Sequence, residues 1–413
     1  MNARTIPSPT DRTLSPPGRA ERAVRAMLGR LTHGTLDLQG PDGRLMHVVG
    51  SQEPLAVRAG MTVHDAQVFR RLLQSGDIGL AETFFEGLWT TPDLTALLTL
   101  GLLNRESLER AIYGSRWSAL LHRLVHLLRR NTRAGSRRNI HAHYDLGNAF
   151  YRLWLDPSMN YSSGWFDGDA ARSLEDAQLA KMARALAQAG VVAGQRVLEI
   201  GCGWGAVAEL AASRGAHVTG VTLSTEQLAH AQARLAGAGL SERADLRLQD
   251  YRDLPAAGDG PFDAIVSIEM FEAVGREYWD GYFQTLARCL APHGRACIQT
   301  ITVADALFDR YARSTDFIQQ YVFPGGMLPS PSAFRAAAQR AGLVIENELA
   351  FGADYAHTLD RWRLRFLEQL PQVRAQGFDL RFVRLWEFYL AYCEAAFRTG
   401  NTDVMQFTLR HAR

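Results

Sequence analysis

The chain has 413 residues, 47% of them apolar, and a formal net charge of +2. That balance fits a globular protein of about two domains, not a disordered, fibrous or membrane-spanning one. No run approaches the roughly 20 apolar residues of a bilayer span. The four cysteines, at 202, 289, 297 and 393, are too scattered for a disulfide framework or a CxxC metal site, which favours a reducing cytoplasm.

In chain order, residues 1–20 (MNARTIPSPTDRTLSPPGRA) hold Pro, Ser and Arg without an apolar centre. They read as a disordered tail and not as a signal peptide. Residues 21–115 form a small α+β module. In it, "GTLDLQGPDGRLMHVVG" is two short alternating runs around Pro41-Asp42-Gly43, a hairpin pattern, and "HDAQVFRRLLQSG" has helical periodicity. Residues 116–139 begin "RWSALLHRLVHLLRRNTRAGSRR", where an apolar helical stripe runs beside seven arginines and no acid. Such a helix lies on an anionic membrane or docks on its own protein with a solvated arginine face. Nothing around it resembles a nucleic-acid motif.

Residues 140–413 alternate strands and helices. Strands are expected at 196–200, 217–223, 244–249, 262–268, 295–302 and 343–350, with helices at 205–214, 225–236 and 277–290 among others. This alternation predicts an α/β fold with a mainly parallel, doubly wound sheet and a ligand beyond the carboxyl ends of its strands.

"RVLEIGCGWG" (196–205) ends a strand on Glu199 and enters a loop with glycines at 201, 203 and 205. Gly201-x-Gly203-x-x-Ala206 meets the relaxed dinucleotide fingerprint, a weak signal alone. A nicotinamide enzyme needs an acid at the end of the next strand, yet "HVTGVTLS" has none. No GK[ST] follows the loop, so a P-loop is excluded. A nucleoside without phosphates remains, and S-adenosylmethionine fits. The glycines admit its aminoacid part, and Glu199 suits its cationic centres. Thr222 and Ser224 to Gln227 lie near the expected ribose, although S-x-x-Q before a helix is also a capping box. Asp250, with Tyr251 beside it, is placed for the adenine amino group.

At this point a family resemblance is carried by "HYDLGNAFYRLWLDPSMNYSSGWF" (143–166), "VLEIGCGWG" (197–205), "GVTLSTEQ" (220–227), "LQDYRDL" (248–254), "FEAVG" (271–275), "YVFPGGMLPS" (321–330) and "FGADYAHTLDRW" (351–362). The chain resembles the cyclopropane-fatty-acyl-phospholipid synthases and the related mycolic acid methyltransferases. "GDIGLAETFFEGLWTTPDL" (76–94) is similar, more loosely, to their small N-terminal lipid-binding-type domain.

The resemblance implies a Rossmann-like, seven-stranded S-adenosylmethionine-dependent methyltransferase fold over 140–413. It implies transfer of the methyl carbon to the cis double bond of a phospholipid acyl chain. It places Tyr161 and Ser162 at the cofactor's aminoacid end. It also implies a bicarbonate base held by Cys, Glu, His and Tyr. Here Glu272 and Tyr355 are present, but Ser163 stands for the Cys, Gln299 for the His, and Ala273 for a further His. Neither Ser nor Gln offers an imidazole to share a proton, so weaker or absent bicarbonate binding is expected. The resemblance implies ring closure to a cyclopropane fatty acyl chain; the replaced pocket residues favour the alternative, in which the cation loses another proton or shifts a hydride and gives a methyl-branched or methylene product without a ring. Cys393 matches a cysteine to which the family assigns reactivity; a small buried thiol is the blander reading.

Of the aromatics around the expected site, Tyr144, Phe150, Tyr151, Trp154, Tyr161, Trp165 and Phe166, most are expected to be core. His141 and His143 form HxH without a third ligand nearby, so no metal is expected. The loop "FPGGMLPS" suits either a cover for an acyl tunnel or an ordinary turn. The expected partner is a phospholipid surface at the inner membrane face, with no nucleic acid and with room for a homodimer. The rival readings are a nicotinamide oxidoreductase and a non-catalytic lipid-binding protein with a decayed site.

Overall fold

The computed structural model describes residues 18–52, 57–108, 146–254, 258 and 260–412. The chain divides into two units, Met1–Ser115 and Arg116–Arg413. The basic segment 116–139, Tyr144, and the His141/His143 pair lie outside the described residues. So does the tail through residue 17, but Arg19 and Ala20, assigned to it above, already begin a helix, Arg19–Leu28.

The first unit is α+β. Strands β1 (Thr35–Gln39), β2 (Leu45–Val49), β3 (Arg58–Val63) and β4 (Trp89–Thr90) form one sheet in the order β2-β1-β3-β4. The hairpin reads from Thr35↔Val49 to Gln39↔Leu45. Its turn is closed by Asp42 Oδ1, which accepts the Arg44 N–H at 3.0 Å. The helix expected at 64–76 runs from Gln67 to Phe85, with a break at Gly76 (φ 60°, ψ −132°).

The second unit carries a seven-stranded sheet. Its strands are β5 (Arg196–Ile200), β6 (His217–Thr222), β7 (Ala244–Leu248), β8 (Phe262–Ile268), β9 (Leu290–Val303), β10 (Leu343–Ala350) and β11 (Thr402–His411). The order is β10-β11-β9-β8-β5-β6-β7, with β11 antiparallel to both neighbours and β5–β9 mutually parallel. From β5 the chain moves first toward β6 and β7, then crosses to β8 and β9. The crevice at that reversal is where such sheets bind ligands.

Alternate residues feed opposite faces, as the pleat requires. Along β5, Leu198 and Ile200 join one apolar layer and Val197 the other; on β8, Ile265 opposes Ala264 and Val266. Sequence reading missed β11. Met405, Phe407 and Leu409 alternate with Gln406 and Thr408 along it, yet Val404 to Leu409 are buried without interruption, so the polar side of the pattern is covered as well. It is also the one antiparallel strand of the sheet.

Helices Gly352–Glu368 and Leu380–Arg398 pack on each other and carry the buried Tyr355 and Tyr389. Between them and the segment 148–166 lies an aromatic layer. Trp154, fully buried, has the rings of Phe150, Tyr151, Tyr161, Trp362 and Trp386 at 5.3–6.0 Å between centroids. Phe150, Tyr151, Trp154 and Phe166 are therefore packing residues. Trp154→Ala should lower unfolding free energy by about 3–5 kcal/mol, measured by denaturant titration. A loss below about 1 kcal/mol would show that the layer does not hold the unit together.

Candidate active site

The loop after β5 must turn at once into helix Ala206–Ser213, and glycine makes the turn feasible. Gly201 and Gly205 both have φ +84°, a region that L side chains avoid. A Cβ on Gly201 would lie 2.9 Å from the Met270 side chain, and one on Gly205 2.8 Å from that of Ala231. Gly203 has open space where its side chain would be and lines a cavity.

That cavity takes in Tyr161, Ser162, Glu199, Gly201, Gly203, Thr222, Gln227, Asp250 and Tyr251. Every residue expected at the cofactor lines it except Ser224. Ser224 is the N-cap of helix Thr225–Gly237, accepting the Gln227 N–H at 3.2 Å. The capping reading holds for it. Gln227 accepts the Thr222 hydroxyl at 3.0 Å. Asp250 has both oxygens engaged by Arg252, through Nε at 2.8 Å, the backbone N–H at 3.0 Å and Nη2. Any adenine contact must share that carboxylate.

Glu199 is only 4% exposed. Burial lifts its pKa to about 8 against the pull of the Ala208 amide and the Lys181 charge. Its Oε2 has no hydrogen-bond partner among the described residues. Lys181, fully buried, donates to Ser162 Oγ at 2.6 Å. Burial lowers it to about 8, while Glu269, Asp156 and Glu199 act to keep it charged.

A second cavity, mostly apolar, adjoins the first. Ile301, Phe323, Met327, Leu328, Leu359 and Phe397 are among its walls, so the "FPGGMLPS" loop contributes directly to it. The two cavities share Tyr161, Glu269 and Ala273. Tyr161 is steadied there by a 2.7 Å hydrogen bond between its hydroxyl and that of Tyr389.

The residues expected around a bicarbonate ion gather at this seam, but they converge on a side chain. Glu269 Oε1 accepts the Ser163 N–H at 2.9 Å and Gln299 Nε2 at 2.7 Å; Oε2 accepts the Tyr355 hydroxyl at 2.6 Å. The Ser163 hydroxyl turns away to the Gly164 carbonyl at 2.8 Å, so only its backbone serves. Gln299 is fixed from behind by Gln406 Nε2, which donates to its Oε1 at 2.9 Å. Glu272 stands beside this group. Its Oε1 accepts the Ile301 N–H, its Oε2 has no hydrogen-bond partner among the described residues, and burial together with the Glu269 charge pushes it up to about 8. Cys393 lines the apolar cavity, and burial raises its thiol far above the ordinary range. That disposes it against acting as a nucleophile.

Two site residues escaped the sequence. Glu269 precedes the "FEAVG" motif, and only its spacing from Glu272 hinted at a paired acid. Lys181 lies on the buried stripe Ala177, Lys181, Ala185 of helix Leu174–Gln188. A lysine at such a position is a signal that could have been used. No cluster of three metal-ligating side chains occurs among the described residues.

Comparison with known proteins agrees with this architecture. The family described as mycolic acid cyclopropane synthetase matches residues 131–407. A tuberculostearic acid methyltransferase of Mycobacterium tuberculosis is 38% identical, covering 95% of this chain and 93% of its own. The cyclopropane-fatty-acyl-phospholipid synthase of Escherichia coli K12 is 36% identical, over 84% of this chain and 87% of its own. The crystal structure of mycolic acid cyclopropane synthase CmaA1 with SAH and CTAB superposes with a TM-score of 0.61 at 33% identity, covering 66% of this chain and 97% of that one. The cyclopropane synthase MmaA2 of M. tuberculosis gives 0.60 at 31% identity, with the same coverage. With its glycine loop, seven-stranded sheet and paired cavities, the chain belongs to the mycolic acid cyclopropane synthetase family and is an S-adenosylmethionine-dependent transferase.

Proposed function

We propose that this enzyme adds the methyl carbon of S-adenosylmethionine to the cis double bond of an unsaturated phospholipid acyl chain, and that the product stays open, as a methylene or methyl-branched chain. One observation carries the reading. A cavity behind the glycine loop, with Glu199, Thr222, Gln227 and Asp250 in its wall, meets a more apolar cavity at a seam walled by Tyr161, Glu269 and Ala273.

The residues of the polar cavity fit the cofactor. The turn at Gly201 and Gly203 brings main chain to its wall, and Glu199, in the same wall, has a carboxyl oxygen with no hydrogen-bond partner among the described residues. When bound, S-adenosylmethionine supplies an electrophilic methyl carbon. The chain's own residues must do the rest. An alkene is a weak nucleophile, so the walls of the apolar cavity earn rate by holding it in a near-attack pose. The same walls exclude the water that would trap a carbocation. Tyr161, at the seam, offers a ring face worth roughly 0.5–2 kcal/mol to a nearby cation. The bicarbonate ion that the resemblance implies does not fit: the donors that would bind it already hold Glu269.

The open product is favoured by the extent of the match to the tuberculostearic acid methyltransferase, 95% of this chain. Ring closure is the second reading, favoured by the family description and by the E. coli synthase. Because the acyl chain stays in its bilayer, the enzyme works at a membrane surface, which we place at the cytoplasmic face; no described helix is long and apolar enough to span one. The basic sequence of 116–139 suits attraction to anionic lipid.

Incubation with liposomes of unsaturated phospholipid and labelled cofactor, followed by proton NMR of the extracted chains, tests the reading. New methylene or methyl-branch signals are expected. Cyclopropane methylene signals would establish the ring-forming version, and label on a heteroatom would overturn both.

A second prediction concerns Glu199. Its carboxyl, near pKa 8 in the free protein, is protonated at pH 7. A cationic ligand favours the ionised form, so binding should release a proton. Calorimetry at pH 7 in buffers of different ionisation enthalpy should show this release in the wild type. Glu199→Gln should lose it and bind more weakly. A buffer-independent wild-type enthalpy would refute the placement of the cation beside Glu199.

A further inference from the structure

We propose that the Glu269 carboxylate is the catalytic base of this enzyme, built into the chain where the family resemblance implies a bicarbonate ion, so that turnover needs no exogenous anion. The inference rests on the acyl-chain reading above and assigns the proton-removing step within it.

Three observations place Glu269 there. First, it lines both cavities, whereas Glu272 lines only the apolar one. A base at the seam stands next to the carbon that passes between them. Second, its carboxylate is oriented by three donors from separate parts of the fold: the Ser163 amide, the Gln299 side chain and the Tyr355 hydroxyl. A carboxylate offers about four lone-pair positions; three donors leave one to take a proton. Third, Glu269 has φ +49°, a left-handed backbone that residues other than glycine rarely adopt. Its backbone N–H is held in that conformation by the Gln299 carbonyl at 2.8 Å. A strained residue whose side chain reaches into a seam between ligand cavities is the pattern of a functional position.

The surrounding charges support this division of labour. Burial raises Glu269 above the ordinary carboxylate range, and the Lys181 charge and the three hydrogen bonds draw it back. Glu272, beside it, is held protonated into the neutral range. Two adjacent carboxyls cannot both ionise cheaply. The one with donors and a nearby lysine keeps the charge. Tyr355 donates to it and Tyr161 shares the wall with it, with Tyr389 and Cys393 beside Tyr355 and Glu199 on the other side of Lys181.

The step balances. The alkene π pair forms the new carbon–carbon bond as the carbon–sulfur bond breaks and leaves its pair on sulfur. The chain then carries a cation beside the new methyl group. After a hydride shift from the methyl-bearing carbon onto that cationic carbon, Glu269 takes one proton from the methyl, and the C–H pair becomes the double bond of a methylene branch. Without the shift, the same proton loss closes a ring. The proton later leaves Glu269 for water.

Anion dependence of the intact enzyme is the decisive test. With carbon dioxide stripped from all solutions, wild-type transfer to unsaturated phospholipid vesicles should match the rate with bicarbonate added. Glu269→Gln should lose about 100-fold or more in kcat while binding S-adenosylmethionine as the wild type does. Glu269→Gly relieves the backbone and opens the anion space, so its low activity should rise with added bicarbonate or formate. A wild type that stalls without bicarbonate, or a Glu269→Gln enzyme that keeps its rate, overturns the inference and leaves the acyl-chain reading standing. A wild type that transfers nothing to any unsaturated lipid overturns that reading and this one with it.

Discussion

Three hydrogen bonds to one carboxylate tie the second unit of this protein together at its centre. Ser163 comes from the segment before the sheet, Gln299 from β9 and Tyr355 from a helix near the end of the chain, and all three meet on Glu269. A charge in such a place is tolerable only with this much compensation. The donors are fixed in turn: Gln299 by Gln406 of β11, and the Ser163 region by Lys181, which holds Ser162. A polar network of this kind is costly if incomplete and rigid when satisfied. Its rigidity gives the seam between the two cavities a defined geometry.

The fold leaves the seam little choice of location. Both approaches to it come from carboxyl ends of adjacent parallel strands. β5 delivers the glycine loop and β8 delivers Glu269 one residue past its end. Their separation is set by the spacing of paired strands, about 4.8 Å. The cavity on the β5 side and the more apolar one beyond Glu269 are thereby brought side by side. The glycines matter for the same reason. At Gly201 a side chain would strike Met270, the residue that follows Glu269, so the two strand-end loops pack as one unit.

Electrostatics and dryness work together in the site. Glu199 and Lys181 are buried and Glu269 and Glu272 half-buried, and their ordinary pKa order is compressed: Glu199, Glu272 and Lys181 each fall near 8. Small changes in local charge then move protons among them, which suits a site that admits a cation and later gives up a proton. The apolar cavity supplies the other requirement. Its walls offer a carbocation few nucleophiles, and the Cys393 thiol among them stays protonated.

The glycine loop, the strand and helix alternation, most of the cofactor wall and the separate N-terminal module were all legible in the residues, because each rests on local pattern: turn chemistry, periodicity and motif spacing. Two local readings needed correction. Ser224 caps its helix, and Ser163 serves through its backbone, since a motif does not say which atom of a residue is used. What no stretch of sequence disclosed was the meeting at Glu269. Its donors lie 106, 30 and 86 residues away along the chain, and β11, which backs Gln299, has its polar Gln406 and Thr408 buried as fully as its apolar residues. Pattern reports which side of a strand is apolar. Only the closed sheet decides which distant groups share a space too small for two anions, and so whether that space holds a borrowed ion or a carboxylate of the chain itself.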